Sequence, residues 1–374
     1  MDFSLNEEQE MLRSSAREFL AEQCPKSLVR NMAEDEKGCP VELWKQMAEL
    51  GWIGLVFPEV YGGSESSFLD LTVLLEEMGR ACLPGPFFST VVLGGLTILD
   101  GGDEEQKRDL LTKIARGETI VTLALLEPGV SYDPPSITIK ARCDGNSYTI
   151  NGVKLFVTDA HIADNIICAA RTDEGVTLFV VDAKNAGVET TLLKTIAGDK
   201  QCEVTFRDVE VAKKNVLGGL GKGWGIVEKT LQKAKVAKCA DMVGISQQVL
   251  EMAIDYAKQR VQFDRPIGSF QVIQHYCADM AIDVDTSRFI TYKSAWMVGS
   301  NIPCDKEINI AKAWVNEACK RVVNHAIHIF ASIGMTEDHD MPLYFRRAKG
   351  DELLFGVTDY CHEIVAKEAG MSPV

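Results

Sequence analysis

The stretch Tyr256-Ala-Lys-Gln-Arg260-Val-Gln-Phe263-Asp-Arg-Pro266-Ile-Gly268-Ser-Phe270-Gln271 decides how the whole chain is read. Upstream of it, Met242, Ile245, Val249, Met252 and Tyr256 recur at three- and four-residue steps, one apolar face of a helix. Pro266 and Gly268 are expected to stop that helix, and Val272, Tyr276, Met280 and Val284 begin another stripe. Arg260, Phe263 and Gln271 therefore fall at a helix–helix corner. An Arg in that place either pairs with the helix macrodipole or presents a fixed cation to a ligand. Spacing alone leaves both readings open.

The chain has 374 residues, enough for two or three domains or one large one. Its 46% hydrophobic and 25% charged content is that of a soluble globular protein. A net charge of −15 without a basic, aromatic-interleaved stripe argues against nucleic-acid binding. Met1-Asp-Phe-Ser-Leu-Asn-Glu-Glu contains no apolar run of a signal peptide. Nor does any segment reach the roughly eighteen apolar residues of a membrane span. Eleven cysteines with no C-x-x-C pair argue against a disulfide framework and against a zinc site. The expectation is a cytoplasmic protein without a structural metal.

Asn6 followed by Gln9 reads as a capping box opening a helix through Met11, Phe19 and Leu20. Further helices are expected at about Val41–Leu50, Leu69–Arg80, Pro86–Leu99 and Asp103–Gly117. From Glu118 the period changes to short β-branched and aromatic runs, from Thr119–Leu126 through Glu203–Phe206. Asn151-Gly152 between two runs reads as a hairpin turn. Strands without intervening helices exclude a doubly wound parallel sheet. Gly218-Gly-Leu-Gly221-Lys-Gly223 lacks both phosphate-loop spacings and reads as a joint into a helix. Helical periodicity then returns at Trp224–Lys238, Met242–Gln262, Val272–Val298, Ile308–Phe330 and from Leu343 onward. The expected domains are helical 1–118, β 119–219 and helical 220–374.

Tyr-Ala-x-x-Arg-x-Gln-Phe-x-x-Pro-Ile-x-x-Phe-Gln, followed by Ala278-Asp279-Met280, resembles a signature of the acyl-CoA dehydrogenase family. Glu49-Leu-Gly-x-x-Gly-x-x-x-Pro58-Glu-x-Tyr61-Gly-Gly and Asn215-Val-Leu-Gly-x-x-Gly-x-Gly are similar to two more of its motifs. The resemblance spans essentially the full length. It implies that family's fold: an N-terminal helical domain, a central antiparallel β domain and a C-terminal four-helix bundle. It further implies FAD as cofactor, an acyl-CoA substrate, electron-transferring flavoprotein as acceptor, and a homo- or hetero-tetramer.

Site residues follow from the same resemblance, position by position. Arg260 and Phe263 match residues that contact the FAD pyrophosphate of a neighbouring subunit, and Gln271 matches one facing the cofactor. In Leu125-Leu126-Glu127-Pro128-Gly129-Val-Ser131-Tyr132-Asp133, Leu126 replaces a Thr and leaves its backbone N–H for the flavin. Tyr132 stands where a Ser contacts CoA. Lys154-Leu-Phe156-Val-Thr158-Asp resembles the strand Lys-x-Trp/Phe-Ile-Thr-Asn, with Phe156 packing near the ring and Thr158 approaching N5. The residue-level alternative is that Phe156 is core and Thr158 merely favours a strand. His328 replaces a Gln, and Ala331-Ser332 replace Gly-Gly, in a segment that contacts FAD across the dimer. Both His328 and Ser332 can still donate hydrogen bonds.

Family chemistry needs a carboxylate that removes the α-proton within hydrogen-bonding reach of it. Alignment from Arg346-Arg347-Ala348-Lys349 puts Phe355 at the usual Glu, and counting back from Arg260 puts Ala234 at the minority position. A third location, in a ring-acyl branch, reads Glu77-Met-Gly-Arg80-Ala-Cys82-Leu-Pro-Gly-Pro86 here and has no carboxylate in the required place. The catalytic base is therefore unassigned. Asp351, Glu352 and Asp241 lie near enough in helical phase to be weighed. Three readings follow: a dehydrogenase with a relocated base acting on a branched, cyclic or dicarboxylic acyl group; a base-deficient subunit of a hetero-oligomer; and a non-redox lyase that keeps FAD.

Overall fold

Asn6 opens the first helix as its spacing predicts, its side chain accepting from the Gln9 N–H while Gln9 reaches back to the Asn6 N–H. The protein is described by a computed structural model over residues 4–371. Helices α1 (Glu7–Gln23), α2 (Lys26–Glu34), α3 (Val41–Glu49) and α4 (Phe68–Ala81) come first. A π-helical turn at Phe88–Gly95 leads into α5 (Leu96–Gly101) and α6 (Glu104–Ala115). The strands are β1 (Val121–Ala124), β2 (Lys140–Asp144), β3 (Ser147–Thr158), β4 (Asn165–Thr172), β5 (Gly175–Asp182), β6 (Val188–Leu193), β7 (Gln201–Ala212) and β8 (Val216–Leu217). Then come α7 (Gly223–Gln259), the short strands β9 (Val261–Gln262) and β10 (Arg265–Pro266), α8 (Gln271–Gly299), α9 (Asp305–Phe330), α10 (Met341–Leu353) and α11 (Thr358–Glu368). None of these helices is long and apolar enough to cross a membrane.

The chain divides into two compact units. One contains the segment up to Asn31, Ser67–Leu83 and the chain from Lys235 on; the other contains Met32–Ser66 and Pro84–Ala234. The helices expected over 1–118 are thus shared between the two units.

In the helical unit, Met242, Ile245 and Val249 of α7 are buried with Met280 and Val284 of α8 and Val315, Cys319 and Val322 of α9. The apolar stripes read from the sequence are therefore the core seam, with Met252, Tyr256 and Tyr276 partly buried against it, except that Val272 at the start of α8 is 54% exposed. Backbones touch where α4 meets α7: a Cβ on Gly79 would lie 2.1 Å from the Asp241 carbonyl oxygen, and one on Gly244 1.8 Å from that of Glu76. Glu76, buried in α4, accepts from Arg288 Nε at 2.9 Å and Tyr292 Oη at 2.8 Å. Glu77 beside it takes both arms of Arg17.

Two boundaries differ from expectation here. The segments expected as 224–238 and 242–262 form one 37-residue helix, because Cys239-Ala240-Asp241 contains no breaker. That helix stops at Gln259, ahead of Pro266, and a small β9–β10 hairpin takes the place of a direct helix–helix corner.

In the sheet unit the strand order is β6-β7-β3-β2-β4-β5-β8, with β1 on β4. Pairings are antiparallel except β1 with β4 and the single β2–β4 bridge. Ile150, Val204, Phe206 and Phe179 fill its core, each contributing about 1.5–3 kcal/mol by burial. Asn151-Gly152 is no turn. β3 runs straight through it, with a bulge between Ile150 and Gly152, and the hairpin turns instead at Gly145-Asn146, between paired Asp144 and Ser147. The Pro86–Leu99 helix is π-helical over Phe88–Gly95.

One fully buried cation anchors this sheet. Lys154 Nζ lies 2.8 Å from Glu127 Oε1 and 3.0 Å from the Leu125 carbonyl. Glu127 also accepts from the Thr138 and Ile139 N–H groups. Burial opposes its charged form, but the Lys154 and Thr138 hydrogen bonds win and hold its carboxyl below the ordinary range. Replacing Lys154 with Met leaves a buried carboxylate unpaired and is expected to cost about 3–5 kcal/mol in urea denaturation. A loss under about 1 kcal/mol would mean that the pair does not anchor the loop.

Candidate functional site

The residues singled out near Arg260 converge on one cavity of about 650 Å³ within the helical unit. The β9–β10 turn makes its rim. Phe263 and Asp264 both have positive φ, 54° and 63°, the backbone of a two-residue hairpin turn that normally takes Asn-Gly. Phe263 is 86% exposed, touching Phe270 edge-on at 5.9 Å, while Arg265 lies over the other ring at 4.2 Å. A bulky aromatic forced into left-handed backbone and left in water marks a surface built for something to cover it. Arg260, in the same lining, is exposed, and its guanidinium makes no ion pair among the described residues.

Across the cavity, Ala331 and Ser332 follow the end of α9. Ala331 sits at φ 54°, ψ −140°, a region that is essentially glycine's. An alanine is therefore held in backbone that glycine adopts freely, at a strain of roughly 1–3 kcal/mol. An unpaired cation, an exposed aromatic and a glycine-like turn at one mouth suit an anionic, ring-bearing ligand. Two expected members stand apart from this lining. Gln271 is the exposed first residue of α8, and His328 is exposed on α9, where its ring lies 6.3 Å from Tyr276.

In the sheet unit, β3 ends with Phe156 40% exposed at φ 55° and Thr158 half-buried between buried Val157 and Asp159. Leu126 is buried; its carbonyl accepts from the Leu155 N–H at 2.8 Å, which ties its loop to the same strand. Tyr132 is half-buried in the loop that follows.

The carboxylates weighed as bases are all engaged. Asp351 of α10 lies 2.7 Å from Lys238 Nζ, and Asp241 lies 3.2 Å from Arg347 Nε. Glu352 pairs with Lys349 at 2.9 Å. Fully buried Lys312 donates to the Asp351 carbonyl and to Asn316 Oδ1, and Asn316 donates in turn to the Gly356 carbonyl. This group of charges holds the Phe355-Gly356 corner, where Phe355 has φ 58° and is itself buried. Ala234 is fully buried. Spacing gave no sign that Lys238 and Lys312 would be buried and Arg347 half-buried beside them, since cations on a helix are ordinarily solvated.

Burial opposes ionisation of both aspartates, with opposite outcomes. Arg347 and Lys238 hold Asp241 well below the usual carboxylate range, whereas burial and the neighbouring Asp241 carboxylate push Asp351 up to about 7. No group of three or more His, Cys, Asp or Glu side chains among the described residues is placed to hold a metal.

Comparison with known proteins agrees along the whole chain. Residues 6–118, 122–209 and 221–370 match the family models for the acyl-CoA dehydrogenase N-terminal, middle and C-terminal domains. The 3-(aryl)acrylate reductase of Clostridium sporogenes is 32% identical over 370 residues, covering 96% of this chain and 98% of that one. Butyryl-CoA dehydrogenase from Megasphaera elsdenii superposes with a TM-score of 0.91 at 29% identity, over 99% of this chain and 100% of that one. A chain of the ChsE4-ChsE5 complex from Mycobacterium tuberculosis gives 0.92 at 26% identity, over 100% of both.

Two outcomes are expected from this geometry. Ala331→Gly should relieve backbone strain and stabilise the protein by about 1 kcal/mol, read as a raised Tm; a lowered Tm would deny the strain. For Asp351 the folded-state value lies above the unfolded one of about 3.9, so the folded state keeps a proton that the unfolded state releases. Stability should fall as pH rises from about 4 to about 7, and Asp351→Asn should flatten that decline in urea titrations. Equal slopes in both proteins would place the titration elsewhere.

Proposed function

Because the chain belongs to the acyl-CoA dehydrogenase family, a family of FAD-dependent oxidoreductases, we propose that it binds FAD and works on the α,β-bond of an acyl-CoA thioester. The cavity at Arg260 carries this reading: the free guanidinium would meet the pyrophosphate, Phe263 would cover it, and the Ala331-Ser332 backbone would approach it closely. By the family pattern, the flavin so held belongs to a neighbouring copy, whose Leu126 N–H, Phe156 and Thr158 would border its ring. Bound flavin supplies the hydride acceptor, with electron-transferring flavoprotein as the onward acceptor. Tyr132 is assigned to the CoA arm. Gln271 and His328, outside the cavity lining, take at most peripheral parts.

An apolar stripe supports assembly into an oligomer. Ile282, Phe289 and Trp296 recur every seven residues along α8 and are 60, 52 and 40% exposed. Between the readings of the missing base, the geometry favours a base-deficient subunit over a relocated base. Asp241, Asp351 and Glu352 are each committed to a cation, and the first two are buried. Catalysis would then lie in a partner chain of a second kind. The fold shared with a chain of a two-protein complex is compatible with such an arrangement.

The test is flavin retention. Arg260→Ala should lower the FAD content of the purified protein at least roughly tenfold, as loss of a charge-assisted hydrogen bond does. Full flavin content in that variant would remove the cofactor site from this cavity.

A further inference from the structure

We propose that Ser89 and Asp159 are positioning residues for Thr158, fixing the end of β3 so that the threonine hydroxyl is presented to the flavin edge. The proposal rests on the reading that Thr158 faces the cofactor. The strand end is gripped from two sides. On one, the Thr122 hydroxyl of β1 donates to the Thr158 carbonyl at 2.7 Å. On the other, Asp159 turns into left-handed backbone at φ 55°, its N–H donating to the Lys200 carbonyl at 2.8 Å.

The Asp159 side chain is turned inward, 5% exposed, and takes the Ser89 hydroxyl at 2.5 Å. Ser89, fully buried, also lies 3.1 Å from the Pro86 carbonyl, but a single hydroxyl proton serves one acceptor at a time and the carboxylate oxygen is nearer. An aspartate brought out of water at a strand end costs free energy unless hydrogen bonds compensate it, and an apolar residue would fill the space without that cost. Its presence therefore specifies a geometry.

Ser89 belongs to the π-helical turn Phe88–Gly95, an uncommon backbone that recurs at functional sites. That turn lies against β1, where a Cβ on Gly94 would come 2.7 Å from the Val121 carbonyl oxygen. The π-helical segment thus braces both holds on Thr158: β1 with Thr122, and Asp159 through Ser89. A carboxylate only accepts, and Ser89 is one of the donors that reach it.

The test is a titration of FAD into apoprotein, followed by the visible flavin band, for wild type, Thr158→Ala, Ser89→Ala, Asp159→Ala, Asp159→Asn and the Ser89→Ala/Thr158→Ala double variant. Thr158→Ala is expected to shift the band and weaken binding. Ser89→Ala and Asp159→Ala should move the band in the same sense and weaken binding by up to roughly tenfold. Asp159→Asn, whose amide oxygen still accepts, should stay near wild type. In the Thr158→Ala background, Ser89→Ala should add nothing, because it acts only through the missing hydroxyl.

A wild-type band and affinity in Ser89→Ala, or effects that add fully in the double variant, would overturn the proposal. A silent Thr158→Ala would overturn its premise instead, a separate failure. Should Ser89→Ala not fold, Asp159→Ala against Asp159→Asn makes the same comparison.

Discussion

The buried pair of Lys154 and Glu127 is the constraint on which the sheet unit turns. Taking both charges out of water is costly, and the cost is met only because each also satisfies backbone groups: the Leu125 carbonyl on one side, the Thr138 and Ile139 N–H groups on the other. The result binds the loop after β1 to the strand that carries Phe156 and Thr158. It also leaves the Leu126 side chain without a structural part in holding the loop. Loop geometry here comes from the neighbouring glutamate and from the Leu126 carbonyl, so the side chain at 126 is free to change.

In the helical unit charge plays a second structural part. Lys238, Lys312 and Arg347 are gathered with Asp241 and Asp351 under the Phe355-Gly356 corner. Buried carboxylates adjoining cations are ordinarily candidates for catalysis, because their protonation is perturbed. Here the same perturbation comes from an ion-pair network that fastens α7, α9 and α10 to one another. This engagement is what supports the proposed reading of a base-deficient subunit, with catalysis in a partner chain of a second kind.

Much of this was legible in the sequence, for physical reasons. Apolar stripes at helical spacing marked the core seam of α7 to α9, and the capping box at Asn6 marked the first helix. The loss of helical period at Glu118 marked the sheet. What escaped were features decided by tertiary context. Asn151-Gly152 has ideal turn chemistry, yet it lies inside a twelve-residue strand because pairing with β7 outweighs local preference. Phe263-Asp264 has poor turn chemistry and nonetheless turns, since the Arg260 and Ile267 backbones are joined across it. Arg260, Phe263 and Ser332 were readable as a group and do share one cavity, whereas Gln271 and His328 lie outside its lining. The strain at Ala331 was invisible, because an alanine carries no sign of the φ it will be held at.

The most direct measurement is anaerobic mixing of the purified single chain with a panel of acyl-CoA thioesters while the flavin band is followed, beside a Phe355→Glu variant of equal FAD content. If this chain holds flavin but lacks its own base, the wild-type band should persist with every thioester. Phe355→Glu should bleach with at least one of them and yield the enoyl-CoA. Bleaching of the wild-type protein alone, with enoyl-CoA formed, would contradict the account and return the search for a base to this chain.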